Sequence, residues 1–290
     1  MADGRKRRTE YVTKPRAASD DITQRPDPGK PTDFVTAPEF RNGTQPKPAA
    51  APTATAAAPE KKVVAAPPIT LTLVRIPEGY FKAGYNKDES VPKRMLWINA
   101  EAAGVLNLID KAERRGCLWV TDIYRSPMES YTARLQKGPI VAPAGLSGHN
   151  YGISIDFDVD KTKKALGVQT NEQMRQALAP CAILPISTEF WHFNLVFNPE
   201  LDYIVGLYRR LPAALRDMPD TKFVSTFSKL IGTPLASVRD VQKFLSLKED
   251  GALGPRTFMS ATMLAAARNG LIPIQDPQKQ TIVLNLNSVW

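Results

Sequence analysis

The residues of this chain best suited to chemistry are its only two histidines, which stand in short segments that also carry acidic side chains. His149 is followed by Asp156 with six residues between them, and His192 comes three residues after Glu189. The interval after His149 lets a loop that carries the histidine fold back beside a strand that carries the aspartate. The glycines that bracket His149 permit such a tight turn.

A catalytic zinc ion needs three ligands from His, Asp, Glu or Cys side chains and keeps a fourth position open to water. His149, Asp156 and His192 are the predicted ligands, and Zn2+ is the predicted cofactor. Two neutral imidazoles and one carboxylate leave the metal with a net positive charge, which lowers the pKa of its bound water. Glu189 is then the predicted general base that takes the proton of that water.

The elements that must position these residues are typical of an α+β domain. Residues 153–160 alternate apolar and polar side chains, which predicts a strand whose polar face carries Asp156, Asp158 and Asp160. Asp156 should point away from the core, whereas Asp158 and Asp160 are either solvated or support the metal ligands from behind. Further strands are predicted at 69–74, 117–124 and 192–197, and helices at 99–115, 128–136, 171–178 and 201–211. This order of elements predicts a small antiparallel sheet flanked by helices.

The spacing of the candidate site residues resembles a known family motif. The segments SGHNYGISID at 147–156 and EFWH at 189–192 match the pattern S-x-H-x-x-G-x-A-x-D followed by E-x-W-H. This pattern is that of the zinc D-alanyl-D-alanine carboxypeptidase family, which includes VanY-type enzymes and the L-alanyl-D-glutamate endopeptidases of phage endolysins. The chain departs from it at Ser154, where alanine is usual, and the resemblance covers roughly residues 70–210.

The resemblance implies a zinc peptidase domain at residues 69–213 that cleaves the stem peptide of bacterial peptidoglycan. It implies that Arg125, in the segment YRS at 124–126, binds the substrate carboxylate or the developing oxyanion, which suits a guanidinium fork. It also implies substrate-side roles for Ser147, which would orient the histidine loop, and for Trp191. Removal of a terminal D-alanine and cleavage between L-alanine and D-glutamate share the metal motif, so the bond that is cut stays open.

Each of these residues taken singly has an ordinary structural interpretation. A lone histidine is usually a surface or core residue, and Arg125 alone is a plain surface residue. Only the order and spacing of the whole set favour a metal site. The alternative is a structural virion protein that keeps this fold with little activity, and the intact His-Asp-His-Glu set disfavours it.

Residues 220–290 are predicted to form a small helical module, with helices at 236–247 and 255–268 and a strand or tail at 281–290. The segments VRDVQKFL at 238–245 and DGALGPRT at 250–257 resemble the peptidoglycan-binding module with its V-x-x-L-Q-x-x-L and D-G-x-x-G-x-x-T pattern. The alternative is a generic helical hairpin with an Asp-Gly turn.

Residues 1–68 are rich in proline, alanine and threonine and lack apolar periodicity, so we expect a disordered or extended arm. The basic N-terminus has no apolar stretch behind it, so no secretory signal is predicted. Delivery to the cell wall or periplasm then needs lysis, a helper or a particle. One hypothesis is that the arm anchors the enzyme to tail or internal proteins of a phage virion, and the other is a flexible linker.

Composition narrows the partner classes further. The net charge of +9 favours an anionic partner, but the basic residues are spread along the chain, so no nucleic-acid partner is predicted. No stretch is long and apolar enough to span a bilayer, so no membrane span is predicted. Cys117 and Cys181 are typical of two buried thiols, with a disulfide as the alternative.

Overall fold

The computed structural model describes residues 68–186, 189–196, 200–276 and 278–290. Within these ranges the fold is α+β, as predicted, with nine helices and two small sheets. The strands are β1 (Thr70–Arg75), β2 (Phe81–Ala83), β3 (Trp97–Asn99), β4 (Leu118–Asp122), β5 (Ser154–Phe157), β6 (Leu184–Pro185), β7 (His192–Asn194) and β8 (Thr281–Asn285). The helices are α1 (Gly104–Lys111), α2 (Pro127–Lys137), α3 (Val159–Leu166), α4 (Asn171–Leu178), α5 (Glu200–Arg210), α6 (Ala213–Arg216), α7 (Asp220–Ile231), α8 (Val238–Phe244) and α9 (Pro255–Arg268).

The larger sheet has five strands in the order β2-β4-β5-β7-β6 and carries the candidate site. Strands β4, β5, β7 and β6 pair antiparallel, but β2 pairs parallel with β4. The chain returns from β2 to β4 through β3 and α1, which is the long crossover that a parallel pair requires. The prediction of one antiparallel sheet is therefore corrected to a mixed five-stranded sheet and a second sheet of three strands.

One face of the five-stranded sheet packs into an apolar core, and the opposite face carries the site. Ile155 and Phe157 of β5 are buried in that core with Phe193 of β7 and Ile109 of α1. Asp156, between them on β5, lines a groove on the other side, as the alternation predicted.

The predicted strand at 153–160 is correct only in its first half. Strand β5 ends at Phe157 because the Asp158 side chain accepts the Lys161 backbone N–H at 3.1 Å and thereby caps α3. Asp160 lies in the first turn of α3 with its side chain 94% exposed, so it is solvated. Neither aspartate supports a metal ligand. The predicted helix at 99–115 is likewise shorter, since Trp97–Asn99 forms β3 before α1 begins.

The C-terminal residues are built into the same unit as the site-bearing sheet. Strand β8 pairs antiparallel with β1 along Thr70–Val74, which gives the three-stranded sheet the order β3-β1-β8. Helix α9 is buried from Thr257 to Ala266 and packs against α2, α5 and α7. Residues on both sides of the predicted boundary at 213–220 therefore share one hydrophobic core and one sheet.

The residues that carry the resemblance to a peptidoglycan-binding module make a hydrogen-bonded turn. The buried Gln242 side chain donates to Asp250 Oδ1 at 2.7 Å and accepts the Gly251 N–H at 2.8 Å. It also donates to the Thr257 hydroxyl at 3.2 Å. The motif thus has a structural role here, in joining α8 to the start of α9.

Two further observations concern predictions made from composition. Cys117 and Cys181 are free thiols, and Cys181 is buried as predicted, whereas Cys117 is only partly buried. Among the described helices, none combines the length and apolar character needed to cross a bilayer. The hypothesis about the N-terminal arm falls outside the described residues, apart from Pro68.

Candidate metal centre

The three predicted ligands meet at one point, although they come from different parts of the chain. Asp156 on β5 and His192 on β7 stand opposite each other in the antiparallel register, and His149 reaches them from a preceding 3-10 turn. His149 Nε2 lies 3.3 Å from both Asp156 Oδ1 and His192 Nδ1. His192 Nδ1 lies 2.6 Å from Asp156 Oδ1. These residues can together hold a metal ion.

The separations between the ligand atoms fit a tetrahedral metal. Metal–ligand bonds of about 2.0–2.1 Å give ligand–ligand separations of roughly 3.3–3.4 Å in a tetrahedron. The two distances from His149 Nε2 have this value, while the contact between His192 and Asp156 is a hydrogen bond. A metal bound to both of these atoms would require them to lie slightly farther apart.

The His149 ring is fixed by the backbone around it. Its Nδ1–H donates to the Ile123 carbonyl at 2.7 Å, which leaves the Nε2 lone pair facing Asp156 and His192. The ring is 2% exposed. The turn that carries it ends at Gly152, where φ is +66° and a Cβ would lie 2.7 Å from the Asn99 nitrogen, so only glycine fits there.

Asn150 fixes the histidine loop through its side chain. The Asn150 side chain accepts the Gly145 N–H at 2.8 Å and donates to the Arg125 carbonyl at 2.7 Å and the Ser130 hydroxyl at 2.9 Å. Ser147 is buried at the entrance to the turn and lines the groove. Asn150 occupies a position at which the motif allows any residue, so the motif alone does not reveal its role.

The His192 ring is fixed from its other side by a residue that the motif does not contain. His192 Nε2 lies 2.6 Å from Glu200 Oε1, at the start of α5. Glu200 also accepts a hydrogen bond from the Ser154 hydroxyl of β5. A proton on Nε2 leaves Nδ1 free for a metal, which is the arrangement that metal-bound histidines usually have.

Arg125 is oriented by an aspartate that the sequence does not single out. Its Nε and one terminal nitrogen both lie 2.7 Å from Asp122 Oδ2, at the end of β4. Arg125 directly precedes Ser126, whose side chain accepts the Glu129 N–H and caps α2. The guanidinium lines the same groove as the three candidate ligands.

Glu189 and Trp191 lie on the wall of this groove, which has a volume of about 1350 Å³. Both are exposed, with Trp191 39% accessible to solvent. The Phe190 ring meets the Trp191 ring edge to face, with centroids 4.8 Å apart. The backbone N–H of His192 donates to the Glu189 carbonyl at 3.4 Å. One short turn therefore connects the predicted base, Glu189, to the candidate ligand His192.

The charges at the centre are strongly coupled. Burial opposes the protonation of His192, but its hydrogen bonds to Asp156 and Glu200 outweigh that effect and raise its pKa to about 10. For Glu200, burial is likewise outweighed by the His192 hydrogen bond, and its pKa falls to about 2. Burial is also outweighed at Asp156, whose pKa is lowered by His149 and His192. His192 thus lies between the carboxylates of Asp156 and Glu200, which favour its protonated form.

Comparison of the chain with protein-family models, curated proteins and solved structures finds no match. The site is therefore interpreted from its own geometry. The candidate ligands line one groove together with the other predicted site residues, Arg125, Ser147, Glu189 and Trp191. The structure adds three residues that the motif does not name: Asp122 and Asn150, which hydrogen-bond Arg125, and Glu200, which hydrogen-bonds His192.

Proposed function

We propose that this chain is a zinc-dependent peptidoglycan hydrolase that cleaves stem peptides, as a D,D-carboxypeptidase or an L-alanyl-D-glutamate endopeptidase. The observation that carries the proposal is the convergence of His149 Nε2, Asp156 Oδ1 and His192 Nδ1 beside an open groove. The choice of substrate rests on the resemblance of the two motif segments.

The donor set supports zinc among the common metals. Two imidazole nitrogens and one carboxylate oxygen form a usual ligand set for catalytic zinc, whereas calcium and magnesium prefer oxygen alone. A zinc ion bound there would supply a Lewis acid and a water that ionises near neutral pH.

The protein residues have separate tasks in the proposed reaction. Glu189, on the groove wall, accepts the proton of the attacking water and passes it to the leaving amine. Arg125 binds an anionic group of the peptide. Asp122 engages part of the guanidinium fork, and the other N–H groups remain for the substrate.

The shape of the groove suits a peptide. Its volume of about 1350 Å³ exceeds the range of roughly 300–1,000 Å³ that is usual for pockets that hold one small molecule. Its lining includes Arg94, several residues of the segment 136–142, the three candidate ligands and Trp191. An extended stem peptide can therefore pass the metal ligands while its side groups contact both walls.

Digestion of purified sacculi tests this proposal. The zinc-loaded full chain should release muropeptides whose masses, read by liquid chromatography and mass spectrometry, identify the bond that is cut. His192→Ala is the matched control, since it should lose both zinc and products. A zinc-loaded protein that yields no product above the buffer control would contradict the proposal and favour a structural virion protein.

We also propose that the enzyme is phage-encoded and travels with the virion, with residues 1–68 bound to tail or internal proteins. The proposal rests on the composition of that segment, because extended chains can cover large partner surfaces and order on binding. Mass spectrometry of purified virions should detect the chain. Its absence, or equal incorporation after deletion of residues 1–68, would contradict the tether.

A further inference from the structure

We infer that Glu200 and Ser154 form a hydrogen-bonded relay that positions His192 for metal binding. The inference rests on the proposed metal site but not on the substrate proposed for it. Glu200 Oε1 lies 2.6 Å from His192 Nε2 and accepts a hydrogen bond from the Ser154 hydroxyl. Neither residue is a predicted ligand or base.

The relay determines which nitrogen of the imidazole faces the metal. A neutral imidazole carries one N–H and one lone pair, and a carboxylate beside Nε2 holds the N–H there. The lone pair then stays on Nδ1, which faces Asp156 and His149. A carboxylate that accepts this hydrogen bond also makes the ring a better donor to the metal.

Ser154 is the one residue at which the chain departs from the metal motif, in which alanine is usual at this position. Its side chain is fully buried, and a buried hydroxyl without a partner is costly. Ser154 stands opposite Asn194 in the register of β5 and β7. Its hydroxyl donates to Glu200 and lies 3.3 Å from the side-chain oxygen of Asn194. The serine therefore completes the surroundings of Glu200.

The packing around this pair is too tight for a different residue at 148. A Cβ built on Gly148 would lie 2.0 Å from Ser154 Oγ and 2.4 Å from Glu200 Oε1. Because residue 148 is glycine, the turn that carries His149 can pack directly against the Glu200 carboxylate, which contacts His192.

Glu200 is a positioning residue rather than a second general base. It contacts Nε2, whereas the metal position lies on the Nδ1 side of the same ring. One oxygen of its carboxylate, Oε1, is already engaged by the histidine and the serine. Both glutamates line the groove, but Glu189 is exposed, whereas the Glu200 side chain is only 20% exposed.

Zinc affinity of the full chain, measured by competition with a chelator, tests the inference without a peptidoglycan assay. Glu200→Gln should weaken zinc binding by about 10- to 100-fold, and Ser154→Ala by less than about 10-fold. Asp202→Asn is the matched control, because Asp202 is an exposed acid in the same first turn of α5. Its affinity should equal that of the wild type.

Proton NMR of the zinc-bound protein supplies a readout that a general loss of stability would not move. The His192 Nε2–H should resonate downfield and exchange slowly in the wild type, and lose both properties in Glu200→Gln. Should Glu200→Gln fail to fold, the same signals in Ser154→Ala decide the matter.

Unchanged zinc affinity and an unchanged Nε2–H signal in the folded variants would overturn the inference, as would a wild type that does not bind zinc. Weakened zinc binding in Glu200→Gln together with a wild type inactive on sacculi would support the inference and contradict the proposed function.

Discussion

At the scale of single residues, both nitrogens of each histidine are engaged, and this organises the site. His149 binds a backbone carbonyl through Nδ1, and His192 binds a carboxylate through Nε2. Each ring therefore presents one defined nitrogen to the same point. Arg125 is held in the same way by Asp122. Side chains that are held by a second partner in this way lose little entropy when substrate or metal binds.

The clearest prediction at this scale separates the proposed base, Glu189, from the three candidate ligands. Glu189→Gln should lower turnover of soluble muropeptides by about two to four powers of ten, because the proton acceptor is lost. Its zinc content should match that of the wild type, since Glu189 is not one of the converging ligands. Steady-state kinetics and metal analysis of the same preparation check both statements.

Glu172→Gln is the control for this experiment, because Glu172 is an exposed acid of α4 with a side chain 67% accessible. Full hydrolysis by Glu189→Gln would show that another group acts as the base.

At the scale of elements, the turn that carries His149 depends on helix α9. Gly145, at a φ of +72°, lies against α9, and a Cβ there would be 2.9 Å from both Met263 Cβ and Ser260 Cα. The Ser260 hydroxyl donates to the Ala144 carbonyl, and the Tyr151 hydroxyl donates to the Gly145 carbonyl at 3.0 Å. The loop before the first ligand is therefore clamped between its own turn and the C-terminal helix.

Gly145→Ala should weaken both folding and metal binding. Insertion of a methyl group against α9 should lower the free energy of unfolding by about 1–3 kcal/mol and shift the His149 turn. Gly138→Ala is the matched control, because Gly138 has the same φ of +72° with open space around its Cβ position. Denaturant unfolding and zinc titration of both variants measure the difference.

The control variant should lose stability through its backbone conformation alone and keep the zinc affinity of the wild type. Equal zinc affinities in the two glycine variants would show that contact with α9 does not position His149.

At the scale of the whole molecule, residues 220–290 complete the core that supports the site. Phe223 and Phe227 of α7 pack with Phe258 of α9 and Trp290 near the C-terminus, at centroid distances of 5.0 to 6.5 Å. Strand β8 covers the edge of β1, whose other neighbour β3 leads into the sheet-packing helix α1. Removal of this segment exposes core rather than freeing a module.

We therefore predict that a chain ending at residue 219 loses cooperative unfolding and zinc binding together. The loss of β8 and α9 exposes β1 and the loop around Gly145 to solvent. The free-energy cost of exposing so much apolar surface exceeds the free energy of unfolding of an ordinary domain. Calorimetry and zinc titration of the truncated chain test this.

A chain that lacks residues 1–67 keeps every described element and is the control. Native zinc affinity and full cleavage of soluble muropeptides by the chain ending at 219 would instead support an independent wall-binding module at 220–290.

The sequence by itself was enough for features that depend on local order. The ligand set was readable because only two histidines exist and each stands beside acids at informative spacing. Helices α4 and α9 have the predicted bounds, since their ends carry local signals: a capping Thr170 with Gln173 before α4, and a Gly254-Pro255 start for α9. The side of β5 that carries Asp156 followed from alternation alone.

The tertiary structure alone decided which residues support the ligands and where the chain closes on itself. Glu200 reaches His192 only because α5 starts beside β5 and β7, and no spacing rule connects it to Ser154, forty-six residues earlier. The pairing of β8 with β1 joins segments more than 200 residues apart, and short alternating segments do not specify their partners. Strand β5 ends earlier than predicted because the Asp158 side chain accepts a backbone N–H at the start of α3. The same residues cannot both begin this helix and continue the hydrogen bonds of the sheet. Local patterns determine elements and candidate groups, whereas burial of a shared core determines which of them meet.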